Sequence, residues 1–374
     1  MRAALRRAAP ALGLFAAARL TGMVVMALWA WHIGRSPRAL LATSWDSQWY
    51  ARIAAHGYGH TLHWPDGAVQ SDLAFFPLYP ALLRSTTALL PVTGGTAGLA
   101  LSWVAAGAAA WGIYALIERL YDRRAATLVV LLWGLLPHSI VLSMAYTEPL
   151  LAAFAAWSLY SLVTGRWVWA GVLAGLAGVT RPNGIAAGAA VCAVAGYALV
   201  KHSGTQGERR ARIWAAVALA PAGWLGYLLW VGARKGDPLG GYFAVQRGWT
   251  SRFDLGLGSL RVVRDMVTRP AFFGFPLALV ITCAGVLLFV LFVLDRPPLA
   301  LLVYTAVLVL ITVGGSGFFE SKPRFLLPAF PLLLPLAGAL TKARPRAAIT
   351  VIAALAGLSF SYGTYVLTLA PLAL

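Results

Sequence analysis

Residues 271–294 read AFFGFPLALVITCAGVLLFVLFVL and contain no charged side chain. About 20 apolar residues of helix cross the ~30 Å hydrocarbon layer of a bilayer, so this segment is long enough to span one. Segments of the same kind recur along the chain. Sixty per cent of the 374 residues are hydrophobic, 11% are charged, and the mean hydropathy is +0.75. A soluble domain carries roughly 25% charged residues and would lack the polar groups to cover its surface at this composition. Disorder is excluded for the opposite reason, because so much apolar surface does not stay solvated. The class that remains is an all-α polytopic membrane protein.

The 30 Lys and Arg against 12 Asp and Glu leave a net charge of +18. In a soluble protein that surplus would point to nucleic acid. In a membrane protein it belongs to cytoplasmic loops and contact with anionic lipid, and no nucleic-acid partner is expected. Cys192 and Cys283 lie in apolar segments and read as buried thiols, with neither a disulfide nor a metal site.

The apolar segments predict about eleven spans: the N-terminal run to Ile33, then roughly 96–118, 125–144, 149–164, 168–180, 184–200, 213–232, 271–294, 299–315, 325–341 and 347–370. The pair 168–180 and 184–200 is short for two crossings and is alternatively a broken or re-entrant pair. Arg19 interrupts the first span and either snorkels or faces the bundle interior. With the N-terminus in the cytoplasm, the inside loops hold fifteen cations, whereas the short outside loops hold only Arg181, Lys322 and Arg324. The positive-inside rule favours that orientation. Eight of the twelve acids then lie outside: Asp46, Asp66, Asp72, Glu148, Asp237, Asp254, Asp265 and Glu320. The expected organisation is a single transmembrane domain, 1–374, with long external loops at 34–95 and 233–270, the first carrying the candidate catalytic acid.

In that first loop, Ser44-Trp45-Asp46-Ser47-Gln48-Trp49-Tyr50 opens an interfacial helix. Asp46 either caps that helix amid an aromatic belt or, partly desolvated by Trp45, Trp49 and Tyr50, serves as a general base. Asp72, ahead of Phe75-Phe76-Pro77-Leu78-Tyr79-Pro80, either caps a helix or binds an acceptor hydroxyl. In Tyr146-Thr147-Glu148-Pro149, Thr147 is expected to cap a helix. Glu148 either suits the helix dipole or faces the same cavity. Arg181, in the unwound Thr180-Arg181-Pro182-Asn183-Gly184, needs an ion-pair partner or an anionic ligand at that depth; phosphate fits its bidentate fork. Gln246 and Trp249 are of the types that line sugar pockets. Lys322 and Arg324 sit outside against the charge rule, and either Glu320 or a phosphate ligand would account for them. His56, His60 and His63 match no standard metal spacing.

Taken in order, Trp45-Asp46, Trp49-Tyr50, Gly57-Tyr58, Phe75 to Pro80, Tyr146 to Pro149, Thr180 to Gly184 and Gly236-Asp237-Pro238 resemble the family of the second mannosyltransferase of GPI-anchor synthesis (phosphatidylinositol-glycan class V) and its bacterial relatives. The resemblance spans residues 44–330. It implies a GT-C fold with its active site on the outer face, a polyprenyl-phosphate mannose donor, a lipid or glycolipid acceptor, and inversion without a covalent intermediate. Asp46 matches the position of the usual GT-C catalytic base. The second acid of a DxD-like pair is absent, because Asp46 is followed by Ser47-Gln48, so a metal-independent enzyme is expected. The substrate-binding set implied is Trp45, Trp49, Tyr50, Asp72, Glu148, Arg181, Asn183, Gln246, Trp249, Lys322 and Arg324, with the cations on the phosphate. Bacterial relatives place the active site on the extracytoplasmic side of the plasma membrane. The competing class, a multi-span transporter or lipid flippase, predicts symmetry-related halves and functional residues near the midplane. The sequence shows neither.

Overall fold

The computed structural model describes residues 2–65, 67–201, 207–270 and 272–370. Asp66, Ala271 and part of the expected inside loop 201–212 fall outside the described residues. The fold is helical throughout, apart from two short two-stranded antiparallel ribbons. In chain order the elements are α1 (Arg2–His32), α2 (Pro37–Thr43), α3 (Asp46–His56), β1 (Thr61–His63), β2 (Val69–Ser71), α4 (Leu78–Leu89), α5 (Gly94–Leu120), α6 (Arg123–Gly134), α7 (Glu148–Val163), α8 (Trp167–Gly178), α9 (Ile185–Lys201), α10 (Glu208–Lys235), α11 (Gly241–Gly248), β3 (Arg252–Phe253), α12 (Leu257–Thr268), α13 (Gly274–Leu294), α14 (Leu299–Gly314), β4 (Gly315–Ser316), α15 (Lys322–Phe325), α16 (Leu334–Lys342) and α17 (Pro345–Thr368).

Among the described residues, six helices are long and apolar enough to cross a membrane: α1, α5, α9 with its leading turn, α10, α13 and α17. A bent pair, Phe319–Phe325 and Phe330–Lys342, folds back by 80° and makes a seventh if it counts as one crossing. The other expected spans are shorter pieces. The segment 125–144 stays helical only to Gly134 and then turns through a 3-10 stretch, Ser139–Ser143. Pro137 is the cause, since it lacks an N–H and disfavours helix in the residue before it. Arg19 resolves toward the interior. It is buried and donates to the Gly134 carbonyl (3.0 Å) and to Ser143 Oγ (3.2 Å), satisfying backbone that this break exposes. The segment 325–341 is interrupted around Pro328 and Pro331 for the same reason as 125–144.

Small residues set the packing. In lipid, helices gain little from apolar burial against one another, so close backbone approach carries the association. Gly171, Gly175 and Gly178 of α8 lie against α10, where a methyl on Gly171 would meet Ala216 Cα at 2.8 Å and one on Gly178 would meet the Trp224 amide at 2.9 Å. A methyl on Gly223 would collide with the Gly175 carbonyl. The alanines of α5 and α7 make a similar contact, and Trp157 donates its indole N–H to the Ala108 carbonyl at 3.0 Å.

At one end of the bundle the irregular segments are tied together by backbone acceptors. Trp249 donates to the Ser71 carbonyl (2.9 Å), Tyr58 and Tyr227 both donate to the Phe75 carbonyl (2.8 and 2.7 Å), and the Leu78 amide donates to the Val179 carbonyl (3.1 Å). The strands β3 and β4 pair Arg252 with Ser316. Residues far apart in sequence thus form one rim. The close α8–α10 contact yields the first prediction. Gly223→Leu should lower the melting temperature of the purified protein in detergent, at a cost of about 1–3 kcal/mol, while Gly226→Ala, where a methyl meets nothing within 4 Å, should leave it unchanged. Equal melting of the two variants would show that this contact does not hold the helices together.

Candidate active site

The rim encloses a cavity of about 540 Å³. Asp46 is the only acidic side chain lining it among the described residues. It sits in the first turn of α3, one residue after Trp45, which occupies the N-cap position without a side-chain cap bond. Trp45 has φ +46°, a conformation that costs a side-chain-bearing residue of order 1–3 kcal/mol and persists only where surrounding contacts enforce it. The expected capping role of Asp46 is therefore not what the geometry shows. Its backbone N–H donates to the Tyr146 hydroxyl (3.4 Å), and its carboxylate accepts from Arg324 (3.0 Å).

Arg324 arrives on α15, in the short helical piece before the bent break, and is buried. Its second neighbour is Glu148, with Nε 3.3 Å from Oε1. The N–H does not point at that oxygen, so this is a charge contact without a hydrogen bond. Glu148 opens α7 and also faces Arg181, with N–O separation 2.5 Å. Two carboxylates and two guanidiniums thus alternate, and each buried charge has an opposite neighbour, as burial in a low-dielectric site demands. Thr147 occupies the N-cap of α7, but its hydroxyl makes no cap bond. It accepts from Arg181 (3.0 Å) and shares a bond with Tyr50 (3.2 Å). Desolvation holds the Tyr50 hydroxyl above its ordinary range; Arg181 opposes this and Asp46 and Glu148 reinforce it, so Tyr50 remains protonated.

Eight of the expected site residues line the cavity: Asp46, Tyr50, Arg181, Asn183, Gln246, Trp249, Lys322 and Arg324. Four do not. Glu148 lies behind the wall, paired to two lining arginines. Trp49 backs the wall, stacked on Phe75 and edge-on to Trp249 at ring distances of 5.4 and 5.0 Å. Trp45 packs into the apolar cluster around Tyr146. Asp72 is buried beneath the hairpin, where one carboxylate oxygen accepts from the Gly59 and His60 amides (2.9 and 2.8 Å) and shapes the loop. Lys322 points its amine at the carbonyls of Thr312 and Gly315 and so caps the C-terminal end of α14. Its charge reaches the cavity, but at least two of its N–H groups are already engaged.

Sequence reasoning passed over Trp224 and Arg252, which also line the cavity. Trp224 sits on a long span where nothing local marks it, and Arg252 reaches the rim only through the β3–β4 pairing. The lining carries five cations (Arg181, Arg247, Arg252, Lys322 and Arg324) against Asp46. A phosphate fits that field, and the aromatic faces of Phe75, Tyr242 and Trp249 suit a sugar ring. Among the described residues no group of three or more His, Cys, Asp or Glu is disposed to hold a metal ion.

The helical bundle, whose short helices and unwound turns close over a charged cavity, has the GT-C fold. Two solved structures share it: ArnT from Cupriavidus metallidurans bound to undecaprenyl phosphate, with TM-score 0.52, 19% identity and 91% of this chain covered, and the oligosaccharyltransferase AglB from Archaeoglobus fulgidus in complex with an inhibitory peptide and a dolichol-phosphate, with TM-score 0.50, 13% identity and 94% covered. The match takes in 63% of the ArnT chain and 55% of the AglB chain, so this chain spans little more than half the length of these structures. The profile of the dolichyl-phosphate-mannose-protein mannosyltransferase family matches residues 74–230, less than half of the chain. No match was found among curated proteins.

Two predictions arise from the charges. Arg324→Met leaves Asp46 and Glu148 without their shared cation and should cost about 3–5 kcal/mol of stability. Adding Glu148→Gln to that variant should recover part of the loss in a thermal melt; additive losses would mean the two side chains are not coupled. Asp254 gives the second. Desolvation alone would raise its carboxyl above the reference value of 3.8, but the Gly258 amide, then Ser316, the Gly256 amide and Arg252, hold it below. A depressed folded value contributes stability that is fully present above pH 3.8 and is lost as pH falls through the folded value. The protection factors of the Gly256 and Gly258 amides, taken against the intrinsic exchange rate at each pH, should fall in that acid window and stay constant from pH 5 to 8, whereas Asp254→Asn should remove the pH step.

Proposed function

We propose that this protein is an integral membrane glycosyltransferase that moves a hexose, mannose in the first instance, from a polyprenyl-phosphate sugar to a lipid or glycolipid acceptor. The observation that carries the proposal is the position of Asp46, the sole lining carboxylate among the described residues, beside an arginine-rich wall in a cavity edged by aromatic rings. The polyprenyl phosphates held by the ArnT and AglB structures support the choice of donor, and the matched family profile supports mannose.

The reaction balances on these residues. The acceptor hydroxyl attacks the anomeric carbon, and Asp46 takes its proton as the new C–O bond forms. The bond from that carbon to the phosphate oxygen breaks, and its electron pair leaves on the polyprenyl phosphate. Arg181 and Arg324 face the charge that develops there. Attack from the side opposite the leaving group inverts the anomeric centre, so no covalent enzyme intermediate is needed. Arg324 holds the Asp46 carboxylate toward its working position, and Glu148 keeps the two guanidiniums in place. We read the reaction as metal-independent, because a phosphate monoester already leaves readily and Ser47-Gln48 supplies no second acid. We further place the cavity on the extracytoplasmic side of the plasma membrane, from the loop charges. The relationship to the second GPI mannosyltransferase and its bacterial relatives stays part of this proposal.

The experiment is transfer from radiolabelled polyprenyl-phosphate mannose to extracted lipid acceptors in membranes that express the protein. Asp46→Asn should lower turnover about 10²–10⁴-fold, the usual contribution of a general base, without changing the amount of folded protein. Prior treatment with a chelator should leave the wild-type rate unchanged. Undiminished transfer by Asp46→Asn would rule that residue out as the base, and a rate restored only by added divalent ion would overturn metal independence.

A further inference from the structure

A smaller cavity, of about 250 Å³, lies at the other end of the bundle. Helix α7 begins with Glu148 behind the wall of the first cavity, and Tyr160, further along the same helix, lines this one. The helical rise of about 1.5 Å per residue sets the two roughly 18 Å apart. The walls are supplied by Arg7 of α1, by Trp111, Tyr114, Glu118 and Arg119 of α5, and by Tyr160 of α7. The glycosyl-transfer reading uses none of these residues.

Charge is unbalanced there. Glu118 is the single acid among the described lining residues, and one of its oxygens is already taken: Arg123 Nε donates to it at 3.1 Å and the Tyr114 hydroxyl at 3.3 Å. Arg7 adds a charge contact to that same oxygen at 3.4 Å. The Arg119 side chain lines the cavity and makes no hydrogen bond or ion pair among the described residues. Three guanidiniums thus crowd one carboxylate and a fourth has no anion at all. Aromatic rings form the rest of the wall. Trp111 meets Trp157 edge-on at 5.2 Å, and Trp157 meets Tyr160 in the same manner at 5.5 Å. Tryptophan and tyrosine gather at the headgroup level of a bilayer, where one end of the ring is wet and the other apolar. Toward the middle of the bundle the same helix faces turn apolar. Leu14 follows Arg7 by about two turns on α1, and Val104 precedes Trp111 by about two turns on α5. Both are exposed, at 44% and 74%. Because α1 starts at this cavity and α5 ends at it, both positions lie on its membrane side.

We infer that this cavity seats the headgroup phosphate of an anionic phospholipid, which is bound as a resident lipid and is not a substrate. The phosphate is gripped by Arg119, whose planar fork binds it bidentately, with Arg7 beside it. Trp111 and Tyr160 flank the headgroup, and the acyl chains descend over Leu14 and Val104. A free anion would meet the same cations but would leave those two apolar faces uncovered, which is why a lipid is the occupant. Seated in this way the lipid bridges α1 to α5 and α7 at the end of the bundle remote from Asp46. It clamps the first span, the one that carries Arg19, without touching either substrate of the proposed reaction. The site is therefore independent of the glycosyl-transfer reading.

The test is binding to purified, delipidated full-length protein in detergent, read by native mass spectrometry and by thermal melting. The probes are phosphatidylglycerol, diacylglycerol with the same acyl chains, and inorganic phosphate. Phosphatidylglycerol should bind and raise the melting temperature of the wild type, as a ligand of the folded state does; the other two at the same concentration should not. Arg7→Ala/Arg119→Ala should weaken phosphatidylglycerol binding at least about tenfold, as loss of charge-assisted hydrogen bonds does. Both side chains are exposed and Glu118 keeps Arg123, so the lipid-free variant should melt near the wild type. Arg119→Gln, which leaves the Arg7 contact to Glu118 in place, should weaken binding in the same direction. Arg209→Ala/Arg210→Ala removes two cations of α10, which contributes no lining residue, and should leave the affinity within about twofold. Undiminished binding by both Arg119 variants, or an equal loss in the α10 pair, would overturn the inference. Protection by inorganic phosphate equal to that by the lipid would overturn it in favour of a free-anion site. Protection by diacylglycerol equal to that by phosphatidylglycerol would overturn it by showing that the phosphate is not what is held.

Discussion

A guanidinium buried between two carboxylates is the constraint around which the cavity end of this protein is built. Arg324 touches Asp46 on α3 and Glu148 on α7, and Glu148 passes the contact on to Arg181 beyond α8. Four pieces of chain that lie far apart in sequence are thereby fixed to one another by charge. None of these groups is tolerable alone at that depth, because the desolvation of a buried ion is repaid only by an opposite neighbour. The arrangement thus places the Asp46 carboxylate and the lining guanidiniums by the same contacts that keep the rim closed.

The cavity inherits its selectivity from that frame. Its acid and its cations are supplied by turns and short helices, while the rings that face them are held by carbonyl hydrogen bonds from Tyr58, Tyr227 and Trp249. Long helices serve as the scaffold here and irregular backbone lines the cavity. In hydrocarbon, irregular backbone is permitted only where protein or water satisfies it, and that is why the unwound stretches coincide with the cavity.

Much of this was legible in the sequence. Apolar run length marked the helical bundle, although six or seven of the eleven expected spans are long and apolar enough to cross among the described residues, and the unusual polar residues marked segments that line one cavity. Asp46, Arg181 and Arg324 were marked because an ion in apolar surroundings needs a reason to be there. Limits appeared wherever the answer depended on a partner across the fold. Asp72 carries the same residue-level signals as Asp46, yet the Gly59 and His60 amides take up its carboxylate. Thr147 has the spacing of a helix cap, but its hydroxyl is drawn to Tyr50 and Arg181. Lys322 reads as a partner for Glu320 or a phosphate and is spent on two carbonyls. Span length misled at Pro137 and again near Pro328, where apolar character continues through a break that hydropathy does not register.

The glycine contact between α8 and α10 has a mechanical consequence. Backbones in such close register have no side-chain cushion to slide on, so the two helices behave as one rigid strut. That strut carries Arg181 at one end of α8 and, through α10, the Trp224 and Tyr242 rings. Any breathing that widens the cavity is therefore left to the facing wall of α14, β4 and α15, where the backbone is already broken. Opening of the cavity is in this way coupled to the segment that bears Arg324, and a gate built there would part Arg324 from Asp46 each time it opened.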